Sequence, residues 1–129
     1  MRGTEAARGD ERGQTLVALS NAIVGIHKRF CGKGPTKARS HLSHDTLTVV
    51  LEGGFTQGEH RLHESGHDEE LVHARRALQA SVEPELRTAV EEILNRRVRS
   101  LLTASDPANK LEAIVFVLVP AEAKPAATG

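Results

Sequence analysis

The run Glu112-Ala113-Ile114-Val115-Phe116-Val117-Leu118-Val119 reads as a β-strand that is apolar on both faces. Alternation sends Ile114, Phe116 and Leu118 to one side of a sheet and Val115, Val117 and Val119 to the other, and neither trio tolerates water. Both sides of the strand need cover. Helices on opposite faces of the sheet would supply it, and so would a symmetric partner whose sheet or first helix closes the face left open. Ala113 to Val119 is about a third of the roughly 20 apolar residues that a membrane-spanning helix requires, so the run is a strand and not a span.

Three further strands complete the sheet. Thr36 to Leu42 alternates Lys37, Arg39 and His41 against Ala38, Ser40 and Leu42, and Ser43-His44-Asp45 turns the chain into Thr46 to Leu51, a hairpin. Val98 to Ala104 joins the last strand through the turn-rich Asp106-Pro107-Ala108-Asn109.

Ahead of the first hairpin, Leu16, Leu19, Ile23, Ile26 and Phe30 step by three and four residues, the spacing of one helical stripe, which Val17 and Val24 widen. The helix is predicted over Thr15 to Phe30, ended by Gly32-Lys33-Gly34-Pro35. Its stripe is also what a helix-to-helix seam uses, over about two heptads.

Between the hairpins, Gly53-Gly54 closes the second strand and Thr56-Gln57-Gly58-Glu59 has the Thr-x-x-Glu spacing of a capping box. Ser65-Gly66-His67-Asp68 interrupts the helix that starts there and caps a longer stretch carrying Leu71, Leu78 and Val82. Pro84 then kinks or restarts it before Leu86, Val90, Ile93 and Leu94. The order αββαββ predicts an α+β fold of two layers, an antiparallel four-stranded sheet under a helix layer with a kinked second helix. Polar, Gly-rich residues 1–14 and Ala/Pro-rich residues 120–129 read as disordered tails around a single domain over 15–119.

Composition narrows the function classes. The chain has 129 residues with 39% hydrophobic, one domain's worth, and its 17 Lys+Arg cancel 17 Asp+Glu. A neutral total, no Trp or Tyr and three Phe argue against a nucleic-acid surface, which needs basic charge and stacking rings. A single cysteine, Cys31, rules out an intramolecular disulfide and fits a reducing compartment. The opening residues do not read as a secretory signal, and a cytoplasmic location without membrane insertion is expected.

Zero net charge conceals polarity. Lys28, Arg29, Lys33, Lys37 and Arg39 give +5 between His27 and His41 with no acid among them. Glu52, Glu59, Glu64, Asp68, Glu69 and Glu70, offset by Arg61, give −5 over the next stretch. Opposite patches of this kind suit self-association or a charged partner. Gly32, Lys33, Gly34, Lys37 and Arg39 are the candidate contacts, either for a partner protein or for an anion held by backbone N–H groups and lysine. The loop matches neither the Walker pattern nor the dinucleotide fingerprint, and a basic edge strand also deters sheet-to-sheet aggregation.

Catalytic signatures are missing: there is no Gly-x-Ser-x-Gly and no Cys-x-x-Cys. His27 stands four residues before Cys31, but a helix C-terminus disfavours thiolate. His60, His63 and His67 fall at i, i+3 and i+7, a spacing that could converge on Zn²⁺ or Ni²⁺, and Gly66 breaks the helix between the second and third. They are read as solvated rather than ligating, and no catalytic residue, metal or cofactor is assigned.

The sequential order of short motifs carries a family resemblance. Gly32-Lys33-Gly34-Pro35, Leu51-Glu52-Gly53, Thr56 with Glu59 and Leu62, Glu70-Leu71-Val72, Arg75-Arg76, Pro84-Glu85-Leu86, Arg97-Val98 and Val115-Phe116-Val117-Leu118 follow one another as in the MpsC-like family of small bacterial and archaeal domains. The likeness spans about Leu16 to Val119. It departs from the family pattern at Gly58, usually a better helix former, and at Asn95-Arg96, where Thr-Gly is common. The resemblance implies an accessory domain, linked by the family's name to a sodium-translocating, membrane-potential-generating system, and brings no catalytic residues with it. With no span in this chain, such a role implies docking to a membrane ion-transport subunit, peripheral to the membrane. The sequence thus predicts a non-enzymatic, homodimeric interaction domain. The alternative is a small-anion or nucleotide-binding regulatory module built on Gly32 to Pro35 and the adjacent basic strand.

Overall fold

The computed structural model describes residues 2–120, with side chains from residue 11 onward. In chain order the elements are α1 (Arg2–Cys31), β1 (Lys37–Ser43), β2 (Thr46–Glu52), α2 (Gln57–Glu64), α3 (Asp68–Leu94), β3 (Val98–Asp106) and β4 (Leu111–Leu118). The strands form one antiparallel sheet in the order β1-β2-β4-β3. This is the expected two-layer α+β fold, with the second helical segment divided into α2 and α3.

Helix α1 begins at Arg2, well before the predicted Thr15, and so takes in residues read as a tail. Glu5, Ala6, Ala7 and Arg8 are good helix formers and carry the helix past Gly3, Gly9 and Gly13. The apolar stripe marks where a helix packs, not where it starts. Leu19, Ile23 and Ile26 are buried and Val24 packs beside them, whereas Val17, about 200° around the helix from Leu19, is exposed. Phe30 is exposed as well, with the Arg29 guanidinium 4.9 Å from its ring centroid. Of the predicted C-terminal tail only Pro120 falls among the described residues.

The β1–β2 hairpin turns on His44 and Asp45, pairs Ser43 with Thr46 and ends with Lys37 opposite Glu52. Beyond it, Gly53 takes φ +79°, and a Cβ there would lie 2.5 Å from Thr36 Oγ1, so glycine is required on both counts. The capping box forms as predicted: Glu59 N–H donates to Thr56 Oγ1 at 3.1 Å and Thr56 N–H to Glu59 Oε1 at 2.8 Å. Gly66, at φ +82°, separates α2 from α3. Pro84 does not restart α3, which runs on from Asp68 to Leu94; its core residues Val82, Leu86 and Val90 hold the helix to the sheet across the missing backbone bond. Asn95 ends it in the left-handed conformation.

Both long helices lie on one face of the sheet, α1 against β1 and α3 against β3, and pack on each other. Leu47, Val49 and Leu51 of β2 and Ile114, Phe116 and Leu118 of β4 meet them in the core. The alternate residues of these strands, including Thr48, Val50, Val115 and Val117, face the other way and are only partly buried. Among the described residues no helix covers that second face.

Arg96 ties the far end of the sheet together. Its guanidinium donates to His44 O (3.0 Å), Asp45 Oδ1 (2.6 Å) and Val119 O (2.8 Å), fastening the hairpin turn to the end of β4.

Candidate functional site

The buried stripe of α3 contains an arginine. Leu71, Arg75, Gln79, Val82, Leu86 and Val90 share one helix face, and Arg75 is only 2% exposed. Its guanidinium grips Glu59 at two points, Nε to Oε2 at 3.0 Å and Nη2 to Oε1 at 3.1 Å. Nη1 donates to Glu112 Oε1 at 2.9 Å and Nη2 to Gly54 O at 2.8 Å. The guanidinium carbon sits 3.7 Å from the Phe55 ring centroid. Moving such charges out of water costs several kcal/mol per ion, which only this density of short bonds offsets. The capping carboxylate of α2 is thereby locked to α3 and, through Arg75, to β4.

Glu112 is equally buried, on the helix-facing side of β4. Burial pushes its carboxyl above the usual carboxylate range; the Ser105 hydroxyl, 2.6 Å from Oε1, and Arg75 oppose this without cancelling it. Gln79 also favours the ionised form, yet its Nε2, like Glu112 Oε2, makes no hydrogen bond among the described residues.

His27 lies against this cluster. It is 3% exposed, neither ring nitrogen has a hydrogen-bond partner among the described residues, and its Cε1 would be 3.2 Å from a Cβ on Gly54. Burial, and then the Arg75 charge, hold its pKa below the ordinary histidine value, against an opposing pull from the Lys33 backbone and Glu59. One turn on, burial raises the pKa of the half-buried Cys31 thiol, the opposite of what activates a nucleophile.

Sequence reasoning missed this cluster, although its pattern is visible. Arg75 and Gln79 stand at i+4 and i+8 from Leu71 on the apolar stripe, and Glu112 shares the parity of Ile114, Phe116 and Leu118.

The predicted contact residues lie elsewhere. Gly32, at φ +85°, caps α1 by donating its N–H to Lys28 O at 3.3 Å, and Gly34 sits against the Lys28 side chain. Lys33, Lys37 and Arg39 are exposed, Lys37 and Arg39 on edge strand β1. Arg39 Nη2 reaches Glu52 Oε2 at 3.3 Å across the hairpin, so the basic and acidic stretches are partly joined within one chain. Glu59, counted with the acidic stretch, is committed to Arg75.

The three histidines are not brought together. His63 Nδ1 pairs with Asp68 at 2.8 Å and His67 Nδ1 with Glu70 at 3.4 Å, on either side of Gly66. Among the described residues no group of three or more His, Cys, Asp or Glu could hold a metal ion.

What remains as a functional surface is the second face of the sheet. Strand register lays it out in rungs: His41, Thr48, Val115 and Leu102 form one, and Arg39, Val50, Ala113 and Ala104 the next. Leu102 is 58% exposed, and Val50, Val115 and Val117 are half-buried with no layer over them. The apolar residues Val50, Ala113, Val115, Val117 and Leu102 adjoin one another on this face, bordered by Thr48, His41 and Arg39.

Residues 11–119 match a family model described as the Na⁺-translocating membrane potential-generating system (MpsC). No curated protein and no solved structure gives a significant match. No helix among the described residues is long and apolar enough to cross a membrane.

Proposed function

The chain belongs to the MpsC family, and on that footing we propose that it is a non-enzymatic accessory domain that works by protein contact through the open face of its sheet, as a homodimer. The observation that carries this reading is the apolar ladder of Val50, Val115, Val117 and Leu102, which the helix layer leaves uncovered. The Arg75 cluster supports it from the other side: the buried charges are spent on one another and on the Gly54 carbonyl, so they act as architecture. A cytoplasmic domain of this kind would take its place in a membrane-potential-generating system peripherally, docked to a membrane ion-transport subunit.

Val115→Glu tests the reading by placing a carboxylate at the centre of the open face. The expected result is an unchanged far-UV circular dichroism spectrum with loss of the wild-type chain's concentration-dependent rise in mass by light scattering. Thermal-shift measurements with inorganic phosphate, nucleotides and divalent cations should show no ligand-specific stabilisation. A large shift with phosphate or nucleotide, lost in Lys33→Ala, would overturn the proposal in favour of an anion-binding module on Gly32 to Pro35.

A further inference from the structure

The charge pattern around the open face selects one way for two copies to meet. Four rungs run straight across the sheet: Lys37, Glu52, Leu111 and Asp106; then Arg39, Val50, Ala113 and Ala104; then His41, Thr48, Val115 and Leu102; then Ser43, Thr46, Val117 and Ser100. In the middle of the face β4 is apolar, with Leu111, Ala113, Val115 and Val117, and β2 sets Val50 among Thr46, Thr48 and Glu52. Of the face's two edges, β1 carries Lys37, His41 and Arg39, the last paired with Glu52 of β2, while β3 carries Leu102, Ala104 and the exposed carboxylate of Asp106, which also accepts from Asn109 within the turn.

Two identical sheets packed face to face are related by a two-fold axis lying between them, parallel to the sheets. If the axis runs across the strands through the centre of the face, β1 stacks on β1 of the second copy in reverse, with Lys37 over Ser43 and Arg39 over His41. That arrangement brings no carboxylate opposite Lys37 or Arg39 and so forms no charge pair across the interface. If the axis runs along the strands, between β2 and β4, each rung meets the same rung in reverse order. Lys37 then lies over Asp106 of the second copy, Glu52 over Leu111, Arg39 over Ala104, His41 over Leu102, Thr48 over Val115 and Val50 over Ala113, so each apolar residue of β4 meets a residue of β2. Sheets aligned in this way pack at about −30°, an angle that follows from their own twist.

We propose that two copies of this chain associate through their open sheet faces about an axis along the strands, with Lys37 of each copy paired to Asp106 of the other. This rests on the reading of the open face as the contact surface and adds its partner and register. Strands about 4.8 Å apart and rungs about 6.7 Å apart give a footprint of roughly 400 Å² per copy. That places the pair at the small, reversible end of specific interfaces, where edge charges weigh heavily.

Sedimentation velocity on the full chain and three variants tests it, over concentrations reaching the order of 100 µM, where a reversible pair of this size should form. Lys37→Glu and Asp106→Lys are each expected to raise the dimer dissociation constant by about tenfold, and the double variant to return it to within about threefold of wild type. Tighter association of Lys37→Glu would overturn the proposal, because Lys37 would then gain nothing from a carboxylate of the second copy. A dimer indifferent to all three variants but broken by Val115→Glu would overturn the Lys37–Asp106 pairing while leaving the open face as the contact surface. A monomer throughout would overturn self-association altogether; the open face would then serve a different protein.

Discussion

The Arg75 guanidinium and the Glu112 carboxylate meet at 2.9 Å with both side chains 2% exposed, a buried ion pair linking the first third of α3 to the start of β4. Such a pair is costly to form and costlier to halve, because the surviving charge stays buried without a partner. Arg75→Ala is therefore expected to destabilise the domain by about 3–5 kcal/mol, read as a drop in the urea unfolding midpoint. Replacing both ions by apolar residues, Arg75→Met with Glu112→Leu, should cost markedly less than Arg75→Ala alone. An equal loss in the two variants would mean that the pair acts through packing and not through charge.

His27 sets a pH dependence. Its folded pKa lies below the ordinary 6.5, so the unfolded chain takes up the proton first as pH falls. The stability that neutral His27 contributes is complete above pH 6.5 and is lost as pH drops from there through the folded value. Glu112 works in the opposite sense: its raised pKa favours the folded state at low pH, and that contribution is lost as pH rises from 4.5 through the folded value. The difference between wild type and His27→Leu isolates the histidine. Melting temperatures from pH 8 to 5 should fall more for wild type than for the variant, and parallel curves would show that His27 does not titrate with unfolding.

Thr56 bears on more than one helix end. Thr56→Ala removes the hydroxyl that accepts from Glu59 N–H, and the loss of a cap of this kind costs about 1 kcal/mol. Glu59 is also the carboxylate that Arg75 grips. Loosening the first turn of α2 should therefore couple to the buried cluster. A double-mutant cycle of Thr56→Ala with Arg75→Met is expected to be non-additive by about 0.5 kcal/mol or more, and additivity would show that the cap and the ion pair are independent.

Gly53→Ala should destabilise by more than the roughly 1–2 kcal/mol of left-handed backbone strain, because the new Cβ also meets Thr36 Oγ1. Combining it with Thr36→Ala relieves the contact and leaves the strain. Partial recovery of the unfolding midpoint in the double variant is the expected outcome, and no recovery would assign the whole cost to backbone conformation.

Strand content and layer order were legible in the sequence because their signals are local. The parity of Ile114, Phe116 and Leu118 against Val115 and Val117 called for cover on both faces of the sheet, which the helices supply on one face only, and the Thr56–Glu59 spacing foretold the cap. The first helix's true start was hidden because Arg2 to Gln14 carries no apolar stripe; its helix-forming residues favour the helix by propensity, and Arg12 Nη2 donates to Leu42 O at 2.6 Å. The Arg75 cluster depends on bringing Gly54, Glu59, Arg75 and Glu112 together across three elements. Single-residue chemistry ranks Arg75 among surface charges until its place on the stripe beside Leu71 and Gln79 is noticed. The charge balance was misleading in another way, since Arg39–Glu52 and Arg75–Glu59 neutralise inside the fold part of what a linear count assigns to separate patches.

The strand order β1-β2-β4-β3 has a consequence for how the chain acquires its structure. Each outer pair is a hairpin closed by a short turn, and each hairpin follows its own long helix, so most early contacts are near in sequence and quick to form. The seam between β2 and β4, like the packing of α1 on α3, must wait for distant parts of the chain to meet. The slow event in folding is then the docking of two preassembled halves along Thr46–Glu52 and Leu111–Val117. Arg96, which clasps the first hairpin's turn to the end of β4, closes late: its loss should speed unfolding more than it slows refolding.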